Sequence, residues 1–172
     1  MVHQLFVWFC WRTELHASGL TRLFGASAFF VYAVPFTILI LARPVLVTIL
    51  SISNAGSLSV DEHWTRVLAL AMCVPVVYLL YSVKRYFGFS RALGIDHFDA
   101  AWRDQPIVRG GIFRYTPNAM YVFGFLLLWI PALYCRSTAA VVAAAFSHAY
   151  IWVHYLTTEK PDMEFIYAGR ES

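Results

Sequence analysis

The chain has 172 residues, of which 60% are hydrophobic, 17% aromatic and only 13% charged, with a formal net charge of +3. Soluble domains carry about a quarter of their residues as Asp, Glu, Lys and Arg, so this composition excludes an ordinary soluble domain and implies a membrane protein of single-domain size. Cys10, Cys73 and Cys135 stand apart in apolar context without a CxxC, which excludes a disulfide framework and a zinc site. No stretch interleaves basic and aromatic residues as a nucleic-acid surface would.

In chain order, residues 1–20 contain LFVWFCW, an apolar run too short to span a bilayer. With Arg12, Glu14 and His16 behind it, the run predicts an interfacial or re-entrant helix. The segment lacks the basic n-region and small-residue cleavage site of a signal peptide. Residues 23–42 predict a first span, with Pro35 tolerated as membrane helices tolerate it. After Arg43-Pro44, residues 45–50 read either as the continuing end of a tilted helix or as a separate dip, and the Ser-, Asn- and Gly-rich stretch 51–63 as a loop. Residues 67–83 predict a second span closed by Lys84-Arg85. The longest polar segment, 86–117, is long for a connection between spans, and long loops are usually functional or disordered. Its interleaved Tyr86, Phe87, Phe89, Phe98, Trp102 and Phe113 argue for order. Residues 119–135 and 138–156 predict the third and fourth spans, an antiparallel hairpin turned at Arg136-Ser137.

The fold class is therefore all-α integral membrane: four transmembrane helices and an N-terminal interfacial helix in one domain, with loop and tail forming the site. Four spans place Arg12, Arg22, Lys84, Arg85, Arg91, Arg103, Arg109, Arg114, Lys160 and Arg170 on one side, against Arg43, Arg66 and Arg136 on the other. The positive-inside rule then predicts a multi-pass protein with termini, long loop and site facing the cytoplasm.

The fourth span turns polar while still inside its apolar run, at Ser147, His148, Trp152, His154 and Tyr155, with Glu159 at its exit. At about 100° per residue, Trp152, Tyr155 and Glu159 fall within about 40° of His148, while His154 points elsewhere. A polar stripe in a membrane helix is a site hypothesis by default. The bland alternative, interfacial anchoring, applies with equal force to Trp152, His154 and Tyr155. The hairpin brings Asn118 and Tyr121 level with Glu159. Gly110, Gly111 and Gly124 permit close approach of backbone or ligand, with helix packing the alternative for Gly124. Arg114 supplies a positive charge, with lipid-phosphate contact or snorkelling the alternative. This set suits a small zwitterionic or cationic ligand meeting a lipid.

Two blocks carry a resemblance. GIFRYTPNAMYVFG before the third span is similar to the GxxRxxRHPxYxG or NPMYxG stretch of the isoprenylcysteine carboxyl methyltransferase and phospholipid N-methyltransferase superfamily. TEKPDMEFIY resembles the EEPxxxEIY tail of the phosphatidylethanolamine methyltransferases. The resemblance covers about residues 94–167. It implies S-adenosylmethionine as methyl donor, with Arg114, Asn118, Tyr121, Gly124 and Glu159 as cofactor-binding residues and no metal. It departs from the family pattern at Ala119, where Pro is usual, and at Lys160, where a second Glu is usual; the nearest match to an upstream GxG is Gly88-Phe89-Ser90.

An amine acceptor needs a base, for which His148, His97 and Asp96 are candidates beside Glu159. The expected function is N-methylation of phosphatidylethanolamine or its partly methylated forms, a step of phospholipid biosynthesis, with membrane phospholipid as substrate. Alternatives are carboxyl methylation of prenylcysteine or another lipophilic acceptor, an NADPH-dependent isoprenoid or sterol reductase, and a non-enzymatic membrane protein.

Overall fold

The computed structural model describes residues 1–106 and 108–167. Arg170, counted above with the cytoplasmic charges, lies outside them. The described residues are mostly helical, joined by short turns and loops, without strands. The helices are α1 Val2–Ala17, α2 Gly19–Phe24, α3 Ala28–Ser53, α4 Glu62–Ser82, α5 Phe89–Ala92, α6 Ala100–Arg103, α7 Leu126–Tyr134, α8 Thr138–His154 and α9 Lys160–Tyr167. Wider π-helical turns extend three of them: Val83–Phe87 after α4, Met120–Gly124 before α7, and Tyr155–Glu159 between α8 and α9.

Continuous helical stretches Gly19–Ser53, Glu62–Phe87 and Thr138–Tyr167 are long and apolar enough to cross a membrane, and the apolar helix Met120–Tyr134 is shorter. Their outward faces carry large apolar side chains such as Ile38, Leu41, Ile49, Leu70, Val74 and Val142, as lipid contact requires. Of the two readings open after Arg43-Pro44, the continuing helix is the one formed: α3 runs through to Ser53. The apolar run resumes immediately after Pro44, so the helix gains more by continuing than it loses in one hydrogen bond. At 26 residues α3 is about 39 Å long and exceeds the hydrocarbon thickness, which favours tilt.

The chain forms two compact units. The first comprises Met1–Ile40, Phe87–Ile107 and Trp152–Ser172. Its core joins Val7, Cys10 and Trp11 of α1 to Tyr32, Ala33 and Phe36 of α3. Glu14 closes the turn from α1 to α2: its carboxylate accepts hydrogen bonds from the backbone N–H groups of Leu20 and Thr21 at 2.9 and 3.0 Å and from the Thr21 hydroxyl. That satisfies donors a helix start leaves open.

The second unit comprises Leu41–Tyr86 and Val108–Ile151. Val47, Leu128, Ala132, Ala140 and Ala144 form its core, and the alanines let α7 and α8 approach closely. The turn at Arg136-Ser137 ends α7 in a Schellman motif: Ser137 N–H donates to Ala132 O and Arg136 N–H to Leu133 O, with Arg136 left-handed at φ 54°. Asn54 Oδ1 accepts from the Ser137 hydroxyl and from Ala139 N–H, both at 3.2 Å, capping the start of α8 from another element.

Candidate functional site

In the first unit a buried polar cluster gathers around the exit of α8. The π turn Tyr155–Glu159 carries Glu159, half-buried, and Asp162 follows on α9, fully buried. Asp162 Oδ1 lies 3.2 Å from Arg12 Nε and its Oδ2 3.5 Å from His97 Nε2. Arg12 also donates from Nη2 to Thr157 O, inside the π turn, at 3.1 Å. The imidazole of His97 stacks on Trp11, centroids 4.1 Å apart and planes within 14°. Trp11 in turn tilts against His154 at 6.0 Å. Gly94 makes that stack possible: a Cβ there would stand 2.4 Å from the indole ring, and φ of +81° suits glycine. Tyr32, fully buried on α3, lies within electrostatic reach of Glu159.

Next in the same unit is a second network. Tyr167 donates to Asp96 Oδ2 at 2.7 Å, Arg91 Nε pairs with the same oxygen at 3.5 Å, and Arg91 Nη2 donates to the Tyr167 oxygen at 3.2 Å. Arg103 donates to the backbone carbonyls of Asp96 and His97 at 2.9 and 3.3 Å, fixing the short turn between them. Asp96 Oδ1 is buried without a hydrogen-bond partner among the described residues.

Both nitrogens of His97 face oxygen acceptors, since Nδ1 lies 3.3 Å from Gly94 O. An imidazole placed so serves as a donor on both sides only when doubly protonated. His148 sits in the second unit, where its Nδ1 accepts from Trp129 Nε1 at 3.2 Å and its ring stacks on Phe125 at 5.6 Å. Arg43 lies over the other contact of that ring, 5.3 Å from the Phe125 centroid.

The sequence candidates therefore divide. Asp96, His97 and Glu159 belong to the first unit; Arg114, Asn118, Tyr121, Gly124 and His148 to the second. A π turn holds about one residue more than an α turn, so an even α-helical spacing fails across Tyr155–Glu159. His148 faces Phe125 and Trp129, Glu159 lies near Tyr32, and His154, expected to point elsewhere, is buried against Trp11.

In the second unit Arg114 is exposed and donates to the Tyr115 hydroxyl at 2.7 Å, which raises the guanidinium above its ordinary value. Asn118 O accepts from the N–H groups of Tyr121 and Val122, starting the helix that the π turn Met120–Gly124 opens. A Cβ on Gly124 would meet Leu79 at 3.3 Å, so this glycine packs against α4. Gly110 and Gly111 likewise admit Tyr86 and Ser82 against the backbone, and Ser82 Oγ accepts from Ile112 N–H at 3.0 Å.

Sequence reasoning missed Trp11, Arg12, Tyr32 and Asp162. Trp11 and Arg12 lay in a segment whose pattern gave only an amphipathic surface helix. Asp162 was visible within the tail block but had no assigned partner.

All-helical, with apolar stretches of spanning length and buried charges at one helix exit, the molecule is an integral membrane protein. Residues 64–170 match the phospholipid methyltransferase family. The chain belongs to that family, whose membrane enzymes transfer methyl groups and so require a methyl donor. Among curated proteins and among solved structures, none matches the chain.

The donor set of the first unit fits a cationic methyl donor. Glu159 stands within electrostatic reach of the buried Tyr32 ring, near the stacked Trp11 and His97, and aromatic faces with a carboxylate stabilise sulfonium and ammonium charge. Among the described residues no cluster of His, Cys, Asp and Glu has the makings of a metal site.

Proposed function

We propose that the protein methylates the amine of phosphatidylethanolamine, or of its partly methylated forms, with S-adenosylmethionine as donor, at the cytoplasmic face of its membrane. The observation that carries this reading is Glu159 at the α8 exit, inside the family-matched stretch and within reach of the buried Tyr32 ring.

S-adenosylmethionine, when bound, supplies a methyl group activated on sulfonium. The part of the chain is to bind, align and exclude water, since an in-line displacement gains most from alignment. Glu159 supplies the charge that pairs with the donor in this reading. The acceptor must present a lone pair, so an ammonium must lose a proton. Of the candidate bases, His148 already spends Nδ1 on Trp129, and His97 is enclosed by the Trp11 ring, Gly94 O and Asp162. Asp96 keeps one oxygen open, which favours it.

The test is calorimetry of S-adenosylmethionine with detergent-purified wild type and Glu159→Gln, followed by incubation with labelled donor and separation of lipid classes. Wild-type binding, its loss in Glu159→Gln and label in phospholipid amines are expected. Label found instead in base-labile esters of prenylcysteine would replace the acceptor. Absence of donor binding would return the reductase or non-enzymatic readings. A reporter fused to the C-terminus should read out in the cytoplasm, and activity outside it would invert the orientation.

A further inference from the structure

The family match begins at residue 64, so α1 lies wholly ahead of it. Yet two consecutive residues of α1 hold the tail at points on both sides of Glu159. Trp11 packs on His154, just before the π turn. Arg12 bonds Thr157 O inside the turn and Asp162 one turn beyond it. Through His97, Trp11 gains a further hold on Asp162, since the stacked imidazole reaches that carboxylate.

The π turn explains why such bracing is needed. A π turn is less favourable than an α turn and persists where outside contacts determine it. Arg12 supplies one at the backbone, by taking a carbonyl within the turn as its acceptor. If the turn relaxed to α geometry, every later side chain would rotate about the helix axis and Glu159 would leave its present direction. Attachments at 154, 157 and 162 forbid that rotation. These contacts are buried at Trp11, His97, His154 and Asp162, while Thr157 is exposed and Arg12 keeps partial exposure, at 30%.

We propose that α1 is a working part of the methyl-donor site, with Arg12 and Trp11 as positioning residues that fix the π turn and thereby the direction of the Glu159 carboxylate. This rests on the reading of Glu159 as a donor-binding residue. Neither side chain needs to touch the donor; they act through Thr157, Asp162 and His154.

Calorimetry of S-adenosylmethionine binding to the full chain in detergent tests it, with Arg12→Gln, Arg12→Lys, Trp11→Phe and Glu159→Gln beside wild type. Arg12→Gln removes the charge at a partly exposed position. It should weaken donor affinity by about ten- to a hundredfold, as loss of a supporting contact behind a ligand-binding group does. Arg12→Lys keeps the charge but not both contacts and should recover part of the loss. A purely structural role would lower the number of binding-competent molecules, read as stoichiometry, and leave affinity unchanged.

Wild-type affinity in Arg12→Gln would overturn the proposal. If that variant does not fold, Trp11→Phe decides: weakened affinity supports the bracing role and unchanged affinity refutes it. Glu159→Gln separates the two levels. Weakened binding there with intact Arg12→Gln and Trp11→Phe would refute only the role of α1. Wild-type binding in Glu159→Gln would refute the assignment of the site itself.

Discussion

Replacing Asp162 by Ala should be among the most damaging single changes in the first unit. The side chain is fully buried, paired with the Arg12 guanidinium at 3.2 Å and with the His97 imidazole 3.5 Å away. Each hydrogen bond to a charged group is worth about 1.5–3 kcal/mol, and removing one partner of a buried pair costs more than forming it gained. Arg12 is 30% exposed, so water recovers part of its loss, whereas His97 has none within reach. The expected cost is about 3 kcal/mol, or a fall of about 6–12 °C in melting temperature for a chain of this size. Asp162→Asn should cost less than half as much. A neutral His97 can donate from Nδ1 to Gly94 O and accept the new amide at Nε2, while Arg12 still finds the amide oxygen. Melting followed by intrinsic fluorescence of the six Trp measures both, and a cycle with Arg12→Gln isolates the coupling of the pair. An Ala variant melting within about 2 °C of wild type would refute the magnitude. An Asn variant as costly as Ala would refute the assignment of hydrogens on His97.

Gly94→Ala should destabilise more than Gly88→Ala: both have φ above +80°, at about 1–2 kcal/mol for a residue with Cβ, but only at Gly94 does the Cβ collide with the Trp11 ring. Equal melting temperatures of the two variants would argue against the indole stack. Ser82→Ala strands the buried Ile112 N–H and should cost about 1–3 kcal/mol, read in the same melt; a neutral result would mean water reaches that amide. Burial raises the Cys10 thiol from 9.0 to about 11, so at pH 8 only about one thiol in a thousand is ionised. Maleimide at that pH should label Cys10 only after denaturation, as mass spectrometry of the labelled peptides would show, and prompt labelling of the native protein would contradict its burial.

Much of the fold was legible because the bilayer simplifies the code. Apolar stretches of spanning length announced α3, α4 and α8. The two motif blocks carry a resemblance to the family that residues 64–170 match. The Gly-rich approach was read as permitting close contact, and the neighbours it admits are Tyr86, Ser82 and Leu79, side chains of the chain itself.

Other features had no local signal. The sequence left a continuing helix and a separate dip both open after Arg43-Pro44, since helix continuity there depends on the whole segment gaining by staying helical in lipid. The π turn at Tyr155–Glu159 broke the even angular spacing on which the polar stripe was built, because tertiary contacts rather than propensity hold a π turn in place. The partnerships of Asp162 with Arg12 and His97 join residues far apart in sequence, and periodicity within one helix carries no information about them. The sequence by itself determined that the chain enters a membrane as helices, and which residue types were available at their ends. Only the tertiary structure decided which of those residues meet, because burial of charge is settled by a partner brought from elsewhere in the chain.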